Sequence, residues 1–411
     1  MDIPGLPARR AALNLIDAVL RRGETLDQAA GAALSRVRGE PDRALARAIA
    51  GEVLRWRGDL DDLIDSATRQ PLAEDAKARA VLEIMLAQVL RLETPAHAVI
   101  ATGLPLLAGG PRRLAHGVFS TLTKRGVSLP EVPTLPEDAR ERWGARAEAI
   151  AQGLALPPPL DLALRDPGET ALWAERLGGT SLMPGHVRVS RGSAVSELAG
   201  FGEGAWWVQD LAASLPARLL GAGEGRRVLD LCAAPGGKTM QLAAAGWQVT
   251  ALDIAGRRLE RLRENLARTR LEAEVVQVDA LTWTPDAPFE AILLDAPCTA
   301  TGTCRRHPDV LHRVGLRQIV EMTQIQSALL ERAASWLAPG GTLIYAVCSM
   351  EAAEGEDRAR AVSGLAAEAI TSPELPEGLA PGPEGWLRTD PGMLEAAGGL
   401  DGFFIARWRK A

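Results

Sequence analysis

From about residue 206 the chain alternates short apolar runs rich in β-branched residues with amphipathic stretches, and this alternation restricts the fold more than any other feature. RVLDL (227–231), QVTALDI (248–254), AEVVQV (273–278), EAILLDA (290–296) and GTLIYAV (341–347) read as strands. TMQLAAAG, RRLERLRENLART and LRQIVEMTQIQSALLERAASWL between them read as helices, and GFFIARWRK (402–410) as a last strand. Strand–helix alternation predicts a parallel sheet covered by helices on both faces.

The front of the chain is different. ARRAALNLIDAVLRRG, DRALARAIAGEVLRWRGDLDDLIDSAT and AKARAVLEIMLAQVLRL repeat apolar residues every three to four positions, and Pro41, Pro71 and Pro95 fall between them. Residues 1–127 are expected to be an all-α domain of about five to seven helices. Residues 128–205 are expected to be a linker: a Pro-rich stretch with a helical insert (137–154), then a small α+β module over 161–205. Residues 206–411 are expected to form the α/β domain.

Composition narrows the class. Hydrophobic residues make up 47% and charged residues 24%, ordinary for a globular protein with more than one core. No apolar run of 18 residues occurs, and Asn14 and Asp17 interrupt the first one, which reads as an amphipathic helix rather than a signal peptide. A cytoplasmic protein without a membrane partner is expected. Four cysteines, Cys232, Cys298, Cys304 and Cys348, contain no CxxC pair, and the five histidines are scattered, so no metal site is expected. The net charge of −6 divides into +3 over residues 1–127 (18 Lys+Arg, 15 Asp+Glu) and −9 over the rest (28 and 37), a mildly basic front compatible with RNA contact.

Four motifs carry chemistry. Val228–Thr239 runs from a strand through a turn of small residues into a helix, a shape that lets a ligand approach backbone N–H groups. Gly237-Lys238-Thr239 is not a P-loop, because Cys232 stands where that motif needs Gly, and GxGxxG is absent, which argues against a dehydrogenase. Asp253 closes the next strand, about 20 residues on, where a carboxylate meets ribose hydroxyls, and Asp279 closes the third, on the adenine side. Asp295-Ala296-Pro297-Cys298 ends the fourth strand, followed by Arg305 and Arg306, a pair suited to phosphate. Cys348 ends the fifth. A lone cysteine is usually a small buried hydrophobe; two at neighbouring strand ends, one beside an Asp, point instead to covalent catalysis. Carbon 5 of cytosine becomes nucleophilic only when a thiolate adds at C6. That chemistry needs a cysteine, an acid at the pyrimidine's Watson–Crick edge, a methyl donor alongside and a base turned out of any stack.

At these residues the chain resembles the Sun/RsmB family of bacterial ribosomal RNA small subunit cytosine-5 methyltransferases, over nearly its whole length. GAWWVQDLAASLP (204–216), RRHPDV (305–310) and DGFFIARW (401–408) are similar as well. GEVLRW (51–56), RLETPAHAVI (91–100) and AHGVFSTLTKRG (115–126) resemble a NusB-like RNA-binding domain. The resemblance implies a class I, Rossmann-like methyltransferase domain using S-adenosyl-L-methionine. It implies that the cofactor is held by Cys232, Ala233, Ala234, Pro235, Gly236, Gly237, Lys238, Asp253, Arg258, Asp279 and Asp295. It also makes Cys348 the nucleophile, Cys298 the residue that assists release and Asp295 a contact to the cytosine; spacing alone does not choose between the cysteines. RNA, 16S rRNA above all, is the expected partner, met by Lys238, Arg305 and Arg306, and the chain is expected to be a monomer. The sequence departs from the family at Thr299-Ala300 (usually Ser-Gly), Val347 (Thr), Leu164-Arg165-Asp166 (Arg-Val-Asn) and Ser120 (Asn). A non-catalytic RNA-binding or antitermination-type factor on a degenerate methyltransferase fold predicts loss of Cys348, Asp295 or the glycine turn, and all three are present.

Overall fold

The computed structural model describes residues 3–192 and 194–411. They divide into two compact units: the chain up to Leu156 together with Arg306–Val314, and Pro157–Arg305 together with Gly315–Ala411.

The first unit is helical: α1 (Leu6–Arg22), α2 (Leu26–Ala33), α3 (Glu40–Arg55), α4 (Arg57–Ser66), α5 (Lys77–Leu90), α6 (Ala96–Gly103), α7 (Gly109–Arg125), α8 (Glu137–Trp143) and α9 (Ala147–Leu154). Helix α5 is apolar nearly all round and is the buried centre. The long periodic stretch 42–68 is two helices that break at the buried Trp56, and the insert at 137–154 breaks at Gly144, whose φ of +52° suits glycine. Arg55 Nη1 donates to Leu154 O (3.1 Å) and Thr134 Oγ1 to Asp59 Oδ1 (2.7 Å), tying 134–154 to α3 and α4. In the segment 306–314, His312 Nε2 lies 2.6 Å from Leu54 O; burial pushes its pKa down to about 4, so the neutral ring donates to that carbonyl.

The second unit opens with β1 (Leu160–Leu164), α10 (Thr170–Arg176), β2 (His186–Val189) and β3 (Trp206–Val208), an antiparallel sheet of order β2-β1-β3. Asp161, fully buried, accepts from Arg188 (2.6 and 2.8 Å) and from the Leu211 amide (3.0 Å), which fixes this small sheet to the start of α11 (Leu211–Arg218). There follow β4 (Arg227–Leu231), α12 (Gly237–Ala244), β5 (Gln248–Asp253), α13 (Gly256–Thr269), β6 (Glu274–Gln277) and β7 (Phe289–Asp295); after α14 (Val310–Arg313), which belongs to the first unit, come α15 (Leu316–Trp336), β8 (Leu337–Val347), α16 (Glu356–Ala361), β9 (Ala366–Ala367), β10 (Leu387–Thr389) and β11 (Phe403–Arg409).

The large sheet has the order β10-β11-β8-β7-β4-β5-β6, with β9 paired to β11. Strands β4 to β8 are parallel, as alternation predicts; β11 runs against them and pairs antiparallel with β8, β9 and β10, so the sheet is mixed. Antiparallel partners need no helical crossover, which is why the helix–strand rhythm stops after β8. Both faces are buried. Leu229, Ile292, Leu343 and Tyr345 pack towards α15, while Val228, Ala291, Leu293 and Ile344 pack towards α11, α12 and α13. The order reverses at β4, whose neighbours are β5 and β7, and the carboxyl ends around such a switch point are where sheets of this type bind ligands. No helix among the described residues is long and apolar enough to cross a membrane, and no group of three or more His, Cys, Asp or Glu among them is placed to hold a metal ion.

Candidate active site

The turn after β4 is built for close approach. Cys232 takes a left-handed φ of +62°, a costly conformation for a residue with a side chain, and Gly236 follows at +103°. A Cβ on Gly236 would sit 2.9 Å from Leu262 Cγ, so only glycine keeps the turn tight against α13. Gly237 then opens α12, whose first amides face the carboxyl edge of the sheet. Thr239 Oγ1 donates to Asp230 Oδ2 (2.6 Å) beneath the turn; burial pushes the Asp230 carboxyl up to about 7.

Asp253 locks the same turn from the side. Its Oδ2 accepts from the Ala234 amide (3.1 Å) and from Arg258 Nη2 (2.6 Å), and its Oδ1 from the Ala255 amide (2.8 Å). Arg258 also donates to Ala234 O (3.0 Å), and Asn265 Nδ2 to Pro235 O (3.1 Å). Asp253 is therefore buried and engaged, while the Arg258 side chain is 56% exposed and is the displaceable partner. Asp279 lies two residues beyond β6, with Oδ1 accepting from the Leu281 amide (2.9 Å). Sequence reasoning missed Ile254 and Leu281, exposed apolar side chains directly after one acid and two residues after the other. An apolar residue left uncovered at a strand end was the available signal.

The other half of the site gathers at the tips of β7 and β8. Lys238 Nζ donates to Asp295 Oδ2 at 2.7 Å. Burial opposes the charge on Lys238, but the Asp295 carboxylate more than offsets it and holds the ammonium above its ordinary value. Lys238 also feels Cys348 electrostatically and lies over the Phe403 ring at 5.3 Å. Cys298 Sγ and Cys348 Sγ are 3.5 Å apart, across neighbouring strand ends.

The four thiols are not equivalent. Cys304 is sealed in the interior. Burial, with Asp253, Asp295 and Asp230 around it, pushes the Cys232 thiol up to about 12. Cys298 is held well above its ordinary value, first by the contact with Cys348 and then by burial, so it stays a protonated thiol whose neighbour is Cys348. Cys348 is half-buried at the edge of the site.

One expected contact fails. Arg305 is 2% exposed; Nη2 donates to Gly398 O (2.5 Å) and Nη1 lies 4.0 Å from Asp401 Oδ1. A guanidinium turned into the fold offers no face to a phosphate, so Arg305 is structural. Arg306 is half-buried and belongs to the helical unit. Lys238, expected both in the cofactor turn and at RNA, is committed to Asp295.

A mixed seven-strand order with its parallel run closing on acids, and a glycine turn at the switch point, is the architecture of Rossmann-like methyltransferases. A sequence profile described as 16S rRNA methyltransferase RsmB/F matches residues 217–409, and one described as the NusB family matches residues 6–106. Ribosomal RNA small subunit methyltransferase B of Xanthomonas campestris is 34% identical over 395 residues, covering 90% of each chain. Its namesake from Xylella fastidiosa (strain Temecula1) is 33% identical over 429 residues, covering 98% of each. The chain belongs to the ribosomal RNA small subunit methyltransferase B family. The crystal structure of PH0851 shares the fold with a TM-score of 0.73 at 23% identity, with 100% of both chains covered.

Proposed function

We propose that this chain methylates carbon 5 of a cytosine in 16S ribosomal RNA, with Cys348 as a covalent nucleophile. The observation that carries the reading is the pair of sulfurs 3.5 Å apart at the sheet's ligand edge, beside the Lys238–Asp295 pair. Family membership supports an RNA substrate and S-adenosyl-L-methionine as methyl donor. When bound, that cofactor supplies an electrophilic methyl group. Residues 232–238, with Asp253, Asp279 and Asp295, are the groups that would hold it: small side chains, helix amides and strand-end acids suit a nucleoside carrying a charged tail. A ribose diol would donate its hydrogen bonds to the Asp253 carboxylate in place of the exposed Arg258.

The chain's own residues divide the work. The Cys348 thiolate adds to C6 of the cytosine, forming an S–C6 bond and moving an electron pair to C5. Asp295, with the Lys238 ammonium beside it, meets the N3 edge of the ring, and a proton passed to N3 from the Lys238–Asp295 pair neutralises the charge that the addition places on the ring. C5 takes the methyl group as the donor's S–CH3 bond breaks, the sulfonium leaving as a neutral thioether; a base removes the C5 proton, and the S–C6 bond breaks to restore the aromatic ring. Cys298, held protonated, hydrogen-bonds to the departing Cys348 sulfur and stabilises it as a leaving thiolate. The helical residues 1–127, with a net charge of +3, assist in gripping RNA.

The test is transfer of labelled methyl groups to 16S rRNA by wild type and by Cys348→Ala, with nucleoside analysis of the product. Wild type is expected to give 5-methylcytidine and Cys348→Ala none, with cofactor binding kept. A different methylated nucleoside, or undiminished transfer by Cys348→Ala, overturns the reading.

A further inference from the structure

One buried carboxylate ties together the two turns that carry the paired cysteines. Glu354 stands six residues after Cys348 and has no solvent exposure. Its Oε1 accepts from the Thr299 amide (2.9 Å) and from Gln326 Nε2 (3.2 Å). Its Oε2 accepts from Thr299 Oγ1 (2.5 Å) and from Ser349 Oγ. Thr299 directly follows Cys298, and Ser349 directly follows Cys348. Gln326, on α15, also donates to Pro297 O (2.9 Å), so the residues on both sides of Cys298 are held from one point. The Glu354 carbonyl in turn accepts from Tyr345 Oη on β8 (2.5 Å), three residues before Cys348.

Burying a carboxylate is costly and is tolerated where donors converge on it. The donors here come from both cysteine turns and from the helix behind them. Thiol attack and release depend steeply on position, since about 1 Å of misplacement costs roughly 100-fold in rate. We propose that Glu354 is a positioning residue for methyl transfer, whose carboxylate holds the Cys298 turn against the Cys348 turn and thereby sets the spacing of the two sulfurs. The inference rests on the reading of these cysteines as a reactive pair, but the spacing itself is measurable without catalysis.

The experiment uses the full-length chain and two readouts. The first is the rate at which diamide, a two-electron thiol oxidant reduced to the hydrazine as it accepts the two thiol hydrogens, links Cys298 to Cys348, followed by peptide mass mapping. The second is kcat for methyl transfer at saturating cofactor and RNA. Glu354→Ala is expected to lower both, kcat by about 100-fold, with the KM for S-adenosyl-L-methionine changed less than about threefold. Glu354→Gln is the rescue: its oxygen replaces Oε1 and its NH2 group donates to the two hydroxyls. It is expected to restore linking to within about threefold of wild type and to recover most of the lost kcat. Should Glu354→Ala fail to bind cofactor, Ser349→Ala, which cuts only the Cys348 side, must slow linking in its place. Wild-type linking rates in Glu354→Ala, or in Ser349→Ala where that variant decides, overturn the proposal, as does failure of Glu354→Gln to rescue. If wild type links readily yet makes no 5-methylcytidine, the reaction assigned above fails while the spacing role stands.

Discussion

Removing the Asp295 carboxylate should damage the protein in a way that removing Lys238 as well repairs. The pair spans 2.7 Å, with the Lys238 side chain 10% exposed and that of Asp295 29% exposed. Breaking a fully buried ion pair by deleting one partner costs roughly 3–5 kcal/mol, because the survivor is left charged and unsolvated. Water at the Asp295 side offsets part of that, so Asp295→Ala is expected to cost about 2–3 kcal/mol. In a unit of this size that lowers the melting temperature by roughly 5–10 °C. Lys238→Met strands the better-hydrated partner and should cost about 1 kcal/mol. The double variant contains neither charge and should recover at least half of the Asp295→Ala loss, a coupling of at least about 2 kcal/mol. Differential scanning calorimetry of the four proteins completes the cycle. An Asp295→Ala protein as stable as wild type, or a double variant less stable than Asp295→Ala, refutes the view that these side chains satisfy each other.

Two further predictions concern stability. Asp230 is held up to about 7 in the fold, against about 4 in an unfolded chain. Between those values the folded state keeps a proton that the unfolded state has released, so this group's contribution falls as pH rises through the window and is flat below it. Asp230→Asn should therefore gain on wild type by up to about 4 kcal/mol between pH 4 and pH 7, read as the difference in melting temperature across pH; a pH-independent difference contradicts it. Gly302, in the Cys298 loop, approaches the chain near its end so closely that a Cβ would lie 1.9 Å from Gly402 O. Gly302→Ala should cost about 3 kcal/mol and lower kcat, measured by urea unfolding and methyl transfer; wild-type values for both refute the close packing.

The parts of the site that sequence shows are those that local periodicity marks. Asp253 and Asp295 are visible because an apolar run stops at each, at the end of a strand, and the small-residue turn is visible because few side chains permit it. The antiparallel strands beyond β8 are less so, since a single strand does not announce its direction. Arg305 and Arg306 read alike in the sequence. Their difference comes from Gly398 and Asp401, more than 90 residues later, which draw one guanidinium inside. Glu354 is hidden for the same reason: its partners Thr299 and Gln326 lie 55 and 28 residues away, and folding alone brings them to one carboxylate. The break at Trp56 is masked by an apolar pattern that runs on across it without a proline.

The covalent step is open to direct observation. Cys298→Ala, incubated with S-adenosyl-L-methionine and 16S rRNA, should accumulate a protein–RNA adduct that survives denaturation, because the thiol that assists release is gone. Protease and nuclease digestion followed by mass spectrometry should find a methylated cytidine residue attached at Cys348. A nucleotide attached at another residue, or no denaturation-resistant adduct at all, contradicts the mechanism.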